Sequence, residues 1–363
     1  MDSNSLAVKY RPTNLAEVHG QEAVVAIVEG LLKTKKIPTS ILLSGHTGCG
    51  KTTIAKIIGY TLNCAKGTRC GKCDSCKMGE ANPDVIDYNA GKDGGIDAIR
   101  KLILSSKVAP MFNKRVIVVD EAHKLTGASL EAMLLPAEQG SKKTLWIFCT
   151  TNKEKLTDTL NGRCLKLAIK AIAHEPMVER LKEIAKAEEI KPLIGKKGKE
   201  VLELIAHVSN GSMREAISQL EAVQLALASG RKFDSAAELQ AVVTNGDVDL
   251  GKSAAQLVGA ILETDLTSAI NVIRTTNNAR GLLSKSKWLT DWLIAVKTKT
   301  ARYTPHDGRV FKELYPKTKT PLSFLMAILS MLVEAEMRMN STSIDENILI
   351  MTHTSDLISE AKG

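Results

Sequence analysis

Short apolar runs alternate with longer amphipathic stretches along the first half of the chain. Four of the runs are typical of buried strands, and apolar residues with helical spacing follow the first of them. The runs cover residues 41–44, 85–88, 116–119 and 145–148. Strands that alternate with helices in this way predict an α/β fold, in which helices cover both faces of a parallel sheet.

The pattern changes after about residue 170, where the strand-like runs stop. Apolar residues then recur at intervals of three and four in residues 176–189, 198–209 and 213–227, which predicts helices. A turn-rich segment at 242–247 precedes a further helical region. We therefore predict three domains: an α/β domain over 1–172, a helical domain over 173–242 and an all-α domain over 243–363.

The composition is that of an ordinary globular protein, with 44% hydrophobic and 25% charged residues among 363. The longest mainly apolar run, residues 324–333, is shorter than the roughly 18 residues that a membrane span needs. Residues 1–12 contain no apolar segment of the kind that a secretory leader carries. We therefore expect no membrane association and a cytoplasmic location.

The net charge of +9 favours a polyanionic partner and is concentrated in one stretch. Residues 274–319 contain eleven basic residues against three acidic ones. Aromatic residues make up only 4% of the chain, so base stacking is a poor candidate for the main binding mode. If nucleic acid binds, we expect contacts mainly with its phosphate backbone. Trp288 and Trp292 lie four residues apart, and we interpret them as core residues.

A phosphate-binding loop lies between the first strand and the following helix. Its glycines allow successive backbone N–H groups to turn toward phosphate oxygens at the positive end of the helix. We expect Lys51 to reach the β- and γ-phosphates and the Thr52 hydroxyl to bind Mg²⁺. The eight residues match G-x-x-x-x-G-K-[ST]: Gly45, His46, Thr47, Gly48, Cys49, Gly50, Lys51 and Thr52.

Two acidic residues follow the third predicted strand. Asp120 and Glu121 begin the sequence Asp-Glu-Ala-His, directly after the apolar run 116–119. We expect Asp120 to hold Mg²⁺ and Glu121 to polarise the water that attacks the γ-phosphate. Together with the upstream phosphate loop, this pair predicts nucleotide hydrolysis.

Four of the seven cysteines form one cluster. Cys64, Cys70, Cys73 and Cys76 follow the spacing C-x5-C-x2-C-x2-C after the helix that begins in the phosphate loop. In an intracellular chain such clustering favours a bound metal over disulfides. Four thiolates can surround Zn²⁺ tetrahedrally, and a closed site of this kind is structural.

The ordered series of motifs resembles the AAA+ clamp-loader ATPases, and specifically the gamma/tau family of bacterial DNA polymerase III. The resemblance runs from Lys9 to about Ile270. In addition to the phosphate loop and the acidic pair, Cys149 to Asn152 resembles the sensor 1 segment, Gly162-Arg163-Cys164 the finger motif and Gly211 to Ala216 the sensor 2 motif. The family's adenine site has its counterparts in Tyr10, Arg11, Pro12, Val18 and His19, with Thr53 beside the phosphate loop.

The resemblance implies roles for these residues. Thr151 and Arg214 would contact the γ-phosphate within one subunit, whereas Arg163 would enter the ATP site of the neighbouring subunit. The family also implies a helical lid over 173–242, an all-α collar over 243–363, a four-cysteine zinc module at 64–76, and ATP, Mg²⁺ and Zn²⁺ as ligands.

The partners implied by the resemblance are primer–template DNA, a sliding clamp and other loader subunits in a ring, expected to be pentameric. ATP-bound subunits would open the clamp and place it on DNA during replication. Arg100, Lys101 and Lys107 are candidate phosphate contacts. The basic stretch 274–319 prompts a further hypothesis that the collar touches DNA or an acidic partner.

Two departures from the family pattern affect the predicted coupling between subunits. Gly162 stands where the family has serine, and Asn161 replaces an apolar residue. Pro136 would bend or end the helix after the acidic pair.

Two alternatives stay open: a spacer subunit that does not hydrolyse ATP, and another AAA+ motor such as a branch-migration or origin-remodelling ATPase. A superfamily 2 helicase is a poor match. The sequence leaves open the stoichiometry, the cognate clamp and whether a bacterium or a phage encodes the chain.

Overall fold

The structure, a computed structural model, describes residues 5–139, 141–229, 242, 248–276, 278–300, 306–316, 318–319, 321–339 and 346–362. The chain forms two compact units, residues 1–232 and 233–363. The three-domain division stays a prediction, and residues 243–247 of its second boundary lie outside the described residues.

Five parallel strands form the centre of the first unit. Their order across the sheet is β2-β3-β4-β1-β5, so β1 lies between β4 and β5. Because the strands are parallel, the chain crosses over between successive strands. The strands are β1 Ser40–Gly45, β2 Val85–Asn89, β3 Arg115–Asp120, β4 Thr144–Thr150 and β5 Leu165–Ile169. The predicted α/β class is confirmed, and β5 is an addition to the four predicted strands.

Both faces of the sheet are covered. Along β3, Val116 and Val118 pack into the apolar cluster on one face, whereas Ile117 and Val119 pack into the cluster on the other. A strand that is buried on both faces reads as a continuous apolar run, which is why β1, β3 and β4 stand out in the sequence. The edge strand β5 alternates exposed and buried residues instead.

Helices of the first unit divide into those that pack around the sheet and those that follow it. The short α1 Leu6–Lys9 comes before the sheet in the chain. Around the sheet lie α2 Glu22–Thr34, α3 Lys51–Asn63, α4 Asp74–Met78, α5 Ile96–Ser106, α6 Gly127–Gln139 and α7 Asp158–Arg163. The lid helices, as we call the group after β5, are α8 His174–Ala187, α9 Lys191–Ile194, α10 Lys196–Val208 and α11 Met213–Ala228. Pro136 lies inside α6, which continues to Gln139, so this proline does not end the helix where it occurs.

The secondary-structure elements described in the second unit are all helices. Its core contains Leu282, Trp292, Phe311, Leu325 and Ile350, with Trp288 packed at the edge, so the interpretation of both tryptophans as core residues is confirmed. No helix in the described part of the chain is long and apolar enough to cross a membrane. The helices are α12 Val248–Leu262, α13 Leu266–Thr275, α14 Ala279–Lys297, α15 His306–Leu314, α16 Leu322–Met339 and α17 Glu346–Lys362.

Candidate nucleotide site

The phosphate loop joins β1 to α3 as the sequence predicts. Gly48 and Gly50 have φ angles of 76° and 102°, in the region that glycine adopts readily. The Lys51 ammonium donates to the carbonyls of Gly45 (2.9 Å) and His46 (2.7 Å), so the side chain lies across the loop. His46 and Thr47 are exposed at its rim, and Cys49 is buried beneath it as a small apolar side chain.

The predicted magnesium ligands lie side by side. The Thr52 hydroxyl, in the first turn of α3, donates to Asp120 Oδ2 at 2.8 Å, at the end of β3. These oxygens come from two elements that the sequence separates by 68 residues, yet one cation could contact both. A hard cation prefers such oxygen ligands, so this pair fits Mg²⁺, and an AAA+ fold implies both nucleotide and magnesium.

Glu121 stands next to that pair in an unusual backbone conformation. Its φ angle of 52° is left-handed, and its carboxylate accepts from the Lys124 ammonium at 2.7 Å. The hydrogen bond from Lys124 lowers the pKa of Glu121, which keeps the side chain ionised at neutral pH. A carboxylate in this state can accept a proton from water or polarise it.

The predicted sensor 1 residue, Thr151, directly follows the last residue of β4. Thr151 is exposed, whereas Thr150 is buried at the end of the strand. The Thr150 hydroxyl lies 3.2 Å from His123 Nδ1, two residues after Glu121. Burial lowers the pKa of His123, which favours the neutral ring. Sequence reasoning missed this contact, and the γ-phosphate role of Thr151 stays a prediction.

The lid helices contact the phosphate loop directly. A Cβ atom placed on Gly48 would lie 2.0 Å from Ser212 Oγ and 3.4 Å from Arg214 Cβ, so the loop and the start of α11 touch. Ser212 caps this helix by accepting from Glu215 N (3.3 Å). Arg214 is exposed in the first turn. The contact of Arg214 with the γ-phosphate stays a prediction.

The N-terminal segment, residues 9–13, contains three of the predicted adenine-site residues. The Tyr10 hydroxyl donates to Glu188, and Lys9 donates to the same carboxylate at 2.6 Å. Hydrogen bonds from Lys9 and then Tyr10 lower the pKa of Glu188. Arg11 Nε donates to Thr53 Oγ1 at 3.1 Å, which ties the segment to α3.

The remaining predicted adenine-site residues lie close by. Pro12 is half-buried within the N-terminal segment. Val18 packs against the apolar cluster on one face of the sheet, and His19 lies 3.6 Å from Glu183 of α8. Gln21 is buried and donates to the carbonyl of Lys170, the residue after β5, at 2.7 Å.

The predicted finger residue lies at the end of α7. Arg163 Nε donates to Glu138 Oε2 at 2.7 Å, and Nη1 donates to the carbonyl of Thr159 at 2.9 Å. Asn161 donates to the carbonyls of Lys153 and Leu156, both at 3.2 Å, and so anchors α7. The departure at 161 therefore adds a polar anchor. Gly162 has open space around its Cα.

The cysteine module, residues 64–76, brings its four thiols together. The sulfur atoms of Cys64, Cys70, Cys73 and Cys76 all lie within 4.8 Å of one another, and two of them are 3.9 Å apart. A tetrahedral zinc site with Zn–S of about 2.3 Å requires sulfurs roughly 3.8 Å apart, so the cluster is compatible with Zn²⁺. Although burial opposes it, backbone N–H groups lower the pKa of Cys64 to about 6, which favours the thiolate that binds metal.

The basic stretch of the second unit is only partly neutralised. Arg280 pairs with Glu346, Lys287 pairs with Glu336 at 2.5 Å, and Lys312 lies 5.2 Å from the centre of the Trp292 ring. Lys297, the last residue of α14, and Lys299, just after the helix, are exposed. Lys317 and Arg302 of this stretch lie outside the described residues.

Comparison with known sequences points to subunits of bacterial DNA polymerase III. A family model described as "DNA polymerase III, delta subunit" matches residues 20–173. The gamma/tau subunit of Mycoplasma genitalium is 36% identical over 221 residues, which cover 59% of this chain and 36% of that protein. The tau subunit of Escherichia coli is 32% identical over 271 residues, which cover 72% of this chain and 40% of that protein. The chain spans about two fifths of the length of the curated relatives it matches, and its resemblance to gamma/tau clamp-loader subunits is confirmed.

Comparison with solved structures identifies the fold. The RuvB Holliday junction branch migration motor of Thermotoga maritima superposes with a TM-score of 0.52 at 18% identity, covering 86% of this chain and 99% of that one. A variant of the same protein superposes with a TM-score of 0.53 at 17% identity, and the covered shares of the two chains are the same. The chain therefore has an AAA+ fold followed by a helical C-terminal region.

Proposed function

We propose that this gamma/tau-like chain is an ATP-hydrolysing subunit of a clamp loader, which opens a sliding clamp and loads it onto primer–template DNA within a DNA polymerase holoenzyme. The observation that carries the proposal is the 2.8 Å contact between Thr52 and Asp120 beside the phosphate loop. It supports a magnesium–nucleotide site in a chain that resembles DNA polymerase III subunits over most of its first unit.

Different residues of the site are proposed to bind the phosphates, to hold the magnesium ion and to activate the attacking water. The loop amides and Lys51 bind the phosphates, while Thr52 and Asp120 would hold Mg²⁺, which when bound neutralises negative charge on the β- and γ-phosphates. Glu121, held ionised by Lys124, accepts a proton from the attacking water. Arg214 approaches from the lid over the phosphate loop.

Arg163 is proposed to act on the neighbouring subunit. Its guanidinium is partly exposed and paired with Glu138. The Arg163 carbonyl accepts from Ser40 at the start of β1, the end away from the phosphate loop of the same chain. A cation supplied in trans stabilises the charge that develops on the γ-phosphate, an effect on the order of 10³-fold or more in GTPases. This arrangement requires a neighbouring subunit, and we propose that the subunits form a pentameric ring.

The surface proposed for the sliding clamp lies at the end of α5. Leu104, Val108 and Met111 expose 63%, 59% and 65% of their surface, which is unusual for three apolar residues so close in sequence. Lys101 and Lys107 on the same segment are exposed, and Arg100 pairs with Asp97 at 3.4 Å. An apolar patch with basic neighbours suits a protein partner that delivers the chain to DNA.

An ATPase assay tests the proposal, using the full chain with its partner subunits, in the presence and absence of clamp and primed DNA. We expect clamp and DNA to stimulate hydrolysis, Lys51→Ala to abolish nucleotide binding, and Glu121→Gln to keep binding but lose turnover. Stimulation by neither ligand would refute the loader function. A chain that binds ATP but never hydrolyses it would instead be the spacer subunit.

Mixing two inactive variants tests the role of Arg163 in trans. Arg163→Ala leaves a chain's own site intact, whereas Glu121→Gln leaves its finger intact. A ring that contains both variants should recover part of the activity if the finger acts on the neighbour, and none if it acts in cis. Stimulation by four-way junctions in place of primed DNA would favour the branch-migration alternative, for which the fold alone gives support.

Introducing negative charge into the apolar patch tests the clamp surface. The double variant Leu104→Glu and Met111→Glu should lose clamp binding while keeping nucleotide affinity. Leu225→Glu, on α11, is the matched control because its side chain is 67% exposed and lies on another surface. Equal clamp binding by the double variant and the control would show that the patch is not the contact.

A further inference from the structure

The N-terminal segment is held at successive residues by three different parts of the first unit. Tyr10 is held by the lid through Glu188, and Arg11 is held by α3 through Thr53. The carbonyl of Thr13 accepts a hydrogen bond from Arg69 Nη1 of the cysteine module. The segment that carries the candidate adenine-site residues therefore depends on the cysteine module as well as on the nucleotide-binding elements.

Arg69 makes two contacts at once. Its guanidinium carbon lies 4.6 Å from the centre of the Tyr60 ring, and Tyr60 is a buried residue of α3, the helix of the phosphate loop. A guanidinium over an aromatic face is attracted by the ring and can still donate hydrogen bonds in its own plane. Arg69 thus fastens the backbone at Thr13 to α3 across the cysteine module.

The position of Arg69 depends on the two cysteines that flank its loop. Cys64 follows the last residue of α3, and Cys70 directly follows Arg69. Cys70 N donates to Cys64 Sγ at 3.3 Å, so the loop between them is already closed. Within the module only Cys64 and Ser75 are buried, which leaves little apolar packing to hold the loop. A metal bound by both cysteines would fix the loop ends and reduce the entropy cost of ordering Arg69.

We propose that Arg69 couples metal binding in the cysteine module to nucleotide binding, by holding Thr13 and with it the adenine-site residues Tyr10 and Arg11 against α3. This inference rests on the proposed ATP site and adds to it a role for the zinc module. Coupling between two binding sites is reciprocal, so nucleotide should strengthen metal retention by the same factor by which metal strengthens nucleotide affinity.

Nucleotide affinity of the zinc-loaded full chain tests the coupling. The Kd of a fluorescent ATP analogue should rise about fivefold in Arg69→Ala, because a partly exposed cation–π contact and one hydrogen bond are lost. Lys72→Ala is the matched control, since it removes the same charge from an exposed position in the same module. Metal content should stay at one zinc per chain in both variants, which separates loss of Arg69 from loss of the metal.

The rate of zinc release to a chromogenic chelator is the second readout. Nucleotide should slow release several-fold in the wild-type chain and in Lys72→Ala, and should leave it unchanged in Arg69→Ala. Arg69→Gly provides a second variant, because glycine suits the left-handed backbone at this position (φ 53°) and keeps the module folded.

Two results distinguish failure of this inference from failure of the proposed function. Equal nucleotide affinity in wild type and Arg69→Ala, or zinc release that nucleotide does not slow in wild type, would refute the coupling alone. A zinc-loaded wild-type chain that binds no nucleotide would refute the ATP site and the coupling with it.

Discussion

The buried ion pair between Asp84 and Arg115 should be the most costly polar contact of the sheet to break. The Asp84 side chain is fully buried before β2, and its Oδ1 lies 3.2 Å from Arg115 Nη2 at the start of β3. Asp84 also accepts from the backbone N–H groups of Met111 (3.0 Å) and Phe112 (2.7 Å). The carboxylate therefore holds the end of the loop that presents the proposed clamp surface.

The structure allows the cost of Asp84→Ala to be worked out. The change leaves the Arg115 guanidinium, whose side chain is only 10% exposed, without its counter-charge. Breaking a buried pair by removing one partner costs about 3–5 kcal/mol, and the two orphaned N–H groups place this change at the upper end of that range. Adding Arg115→Met removes the uncompensated charge, so the double variant should cost about 2 kcal/mol less than the sum of the single changes.

Hydrogen exchange measured by mass spectrometry is the suitable assay. A chain with two compact units does not unfold in one transition, whereas exchange of β3 peptides reports the opening free energy of the sheet itself. Asp87→Ala is the control, because Asp87 pairs with Lys56 at 2.6 Å but is 44% exposed, and its loss should cost under about 1 kcal/mol. If Asp84→Ala destabilises β3 no more than Asp87→Ala does, the reasoning from burial is wrong.

Three further predictions concern the nucleotide site. Glu138 holds Arg163 in a partly exposed ion pair, and Glu138→Gln releases the arginine. The ATPase activity of the assembled subunits should therefore rise, by no more than about fivefold. A fall in kcat would show that Glu138 does not hold Arg163 back. Hydrogen bonds from the N-terminal segment hold the pKa of Glu188 below its ordinary value. The contact therefore stabilises the fold at pH values above the ordinary pKa and is lost only as the pH falls through the lowered pKa. Nucleotide affinity of the wild-type chain should show no step from this group between pH 5 and 8, and Glu188→Gln should weaken binding throughout that range. Gly48→Ala should weaken nucleotide binding at least about tenfold, measured by titration, because a Cβ there meets the lid at 2.0 Å and the φ angle is left-handed, whereas Gly30→Ala in α2 meets nothing and should bind normally.

The sheet could be predicted from sequence largely because its central strands are buried on both faces. β1, β3 and β4 appear as continuous apolar runs, and each ends in a motif residue at the carboxyl edge of the sheet. The edge strand β5 was missed because Lys166 interrupts its apolar residues and leaves only three in a row, Leu167 to Ile169. Pro136 was expected to bend or end α6, and the helix continues to Gln139 although the proline removes one N–H donor from its hydrogen-bond ladder.

In the candidate site, residues that belong to short sequence motifs could be predicted, whereas partners that are distant in the sequence could not. Thr52, Asp120 and Glu121 were predicted because each belongs to a short motif with a defined place on a strand or helix. The partners Glu138, Glu188 and Arg69 carry no motif, and the contact between Tyr10 and Glu188 joins residues 178 positions apart. Such pairs depend on how the lid and the cysteine module pack against the sheet, which local periodicity does not encode.

Contacts between residues distant in the sequence tie the N-terminal segment, and the residues before it, to the lid. Glu221 of α11 accepts from the Ser5 hydroxyl (3.1 Å) and from Leu6 N (3.3 Å), and Arg180 of α8 donates to the carbonyl of Tyr10 at 3.2 Å. A lid that moves with nucleotide must therefore carry the segment along or break these contacts, while Arg69 and Thr53 hold it to α3. Nucleotide binding should accordingly slow hydrogen exchange across residues 6–13, and this protection should diminish in Arg69→Ala. Protection that is unchanged in Arg69→Ala would mean that the lid alone positions the segment.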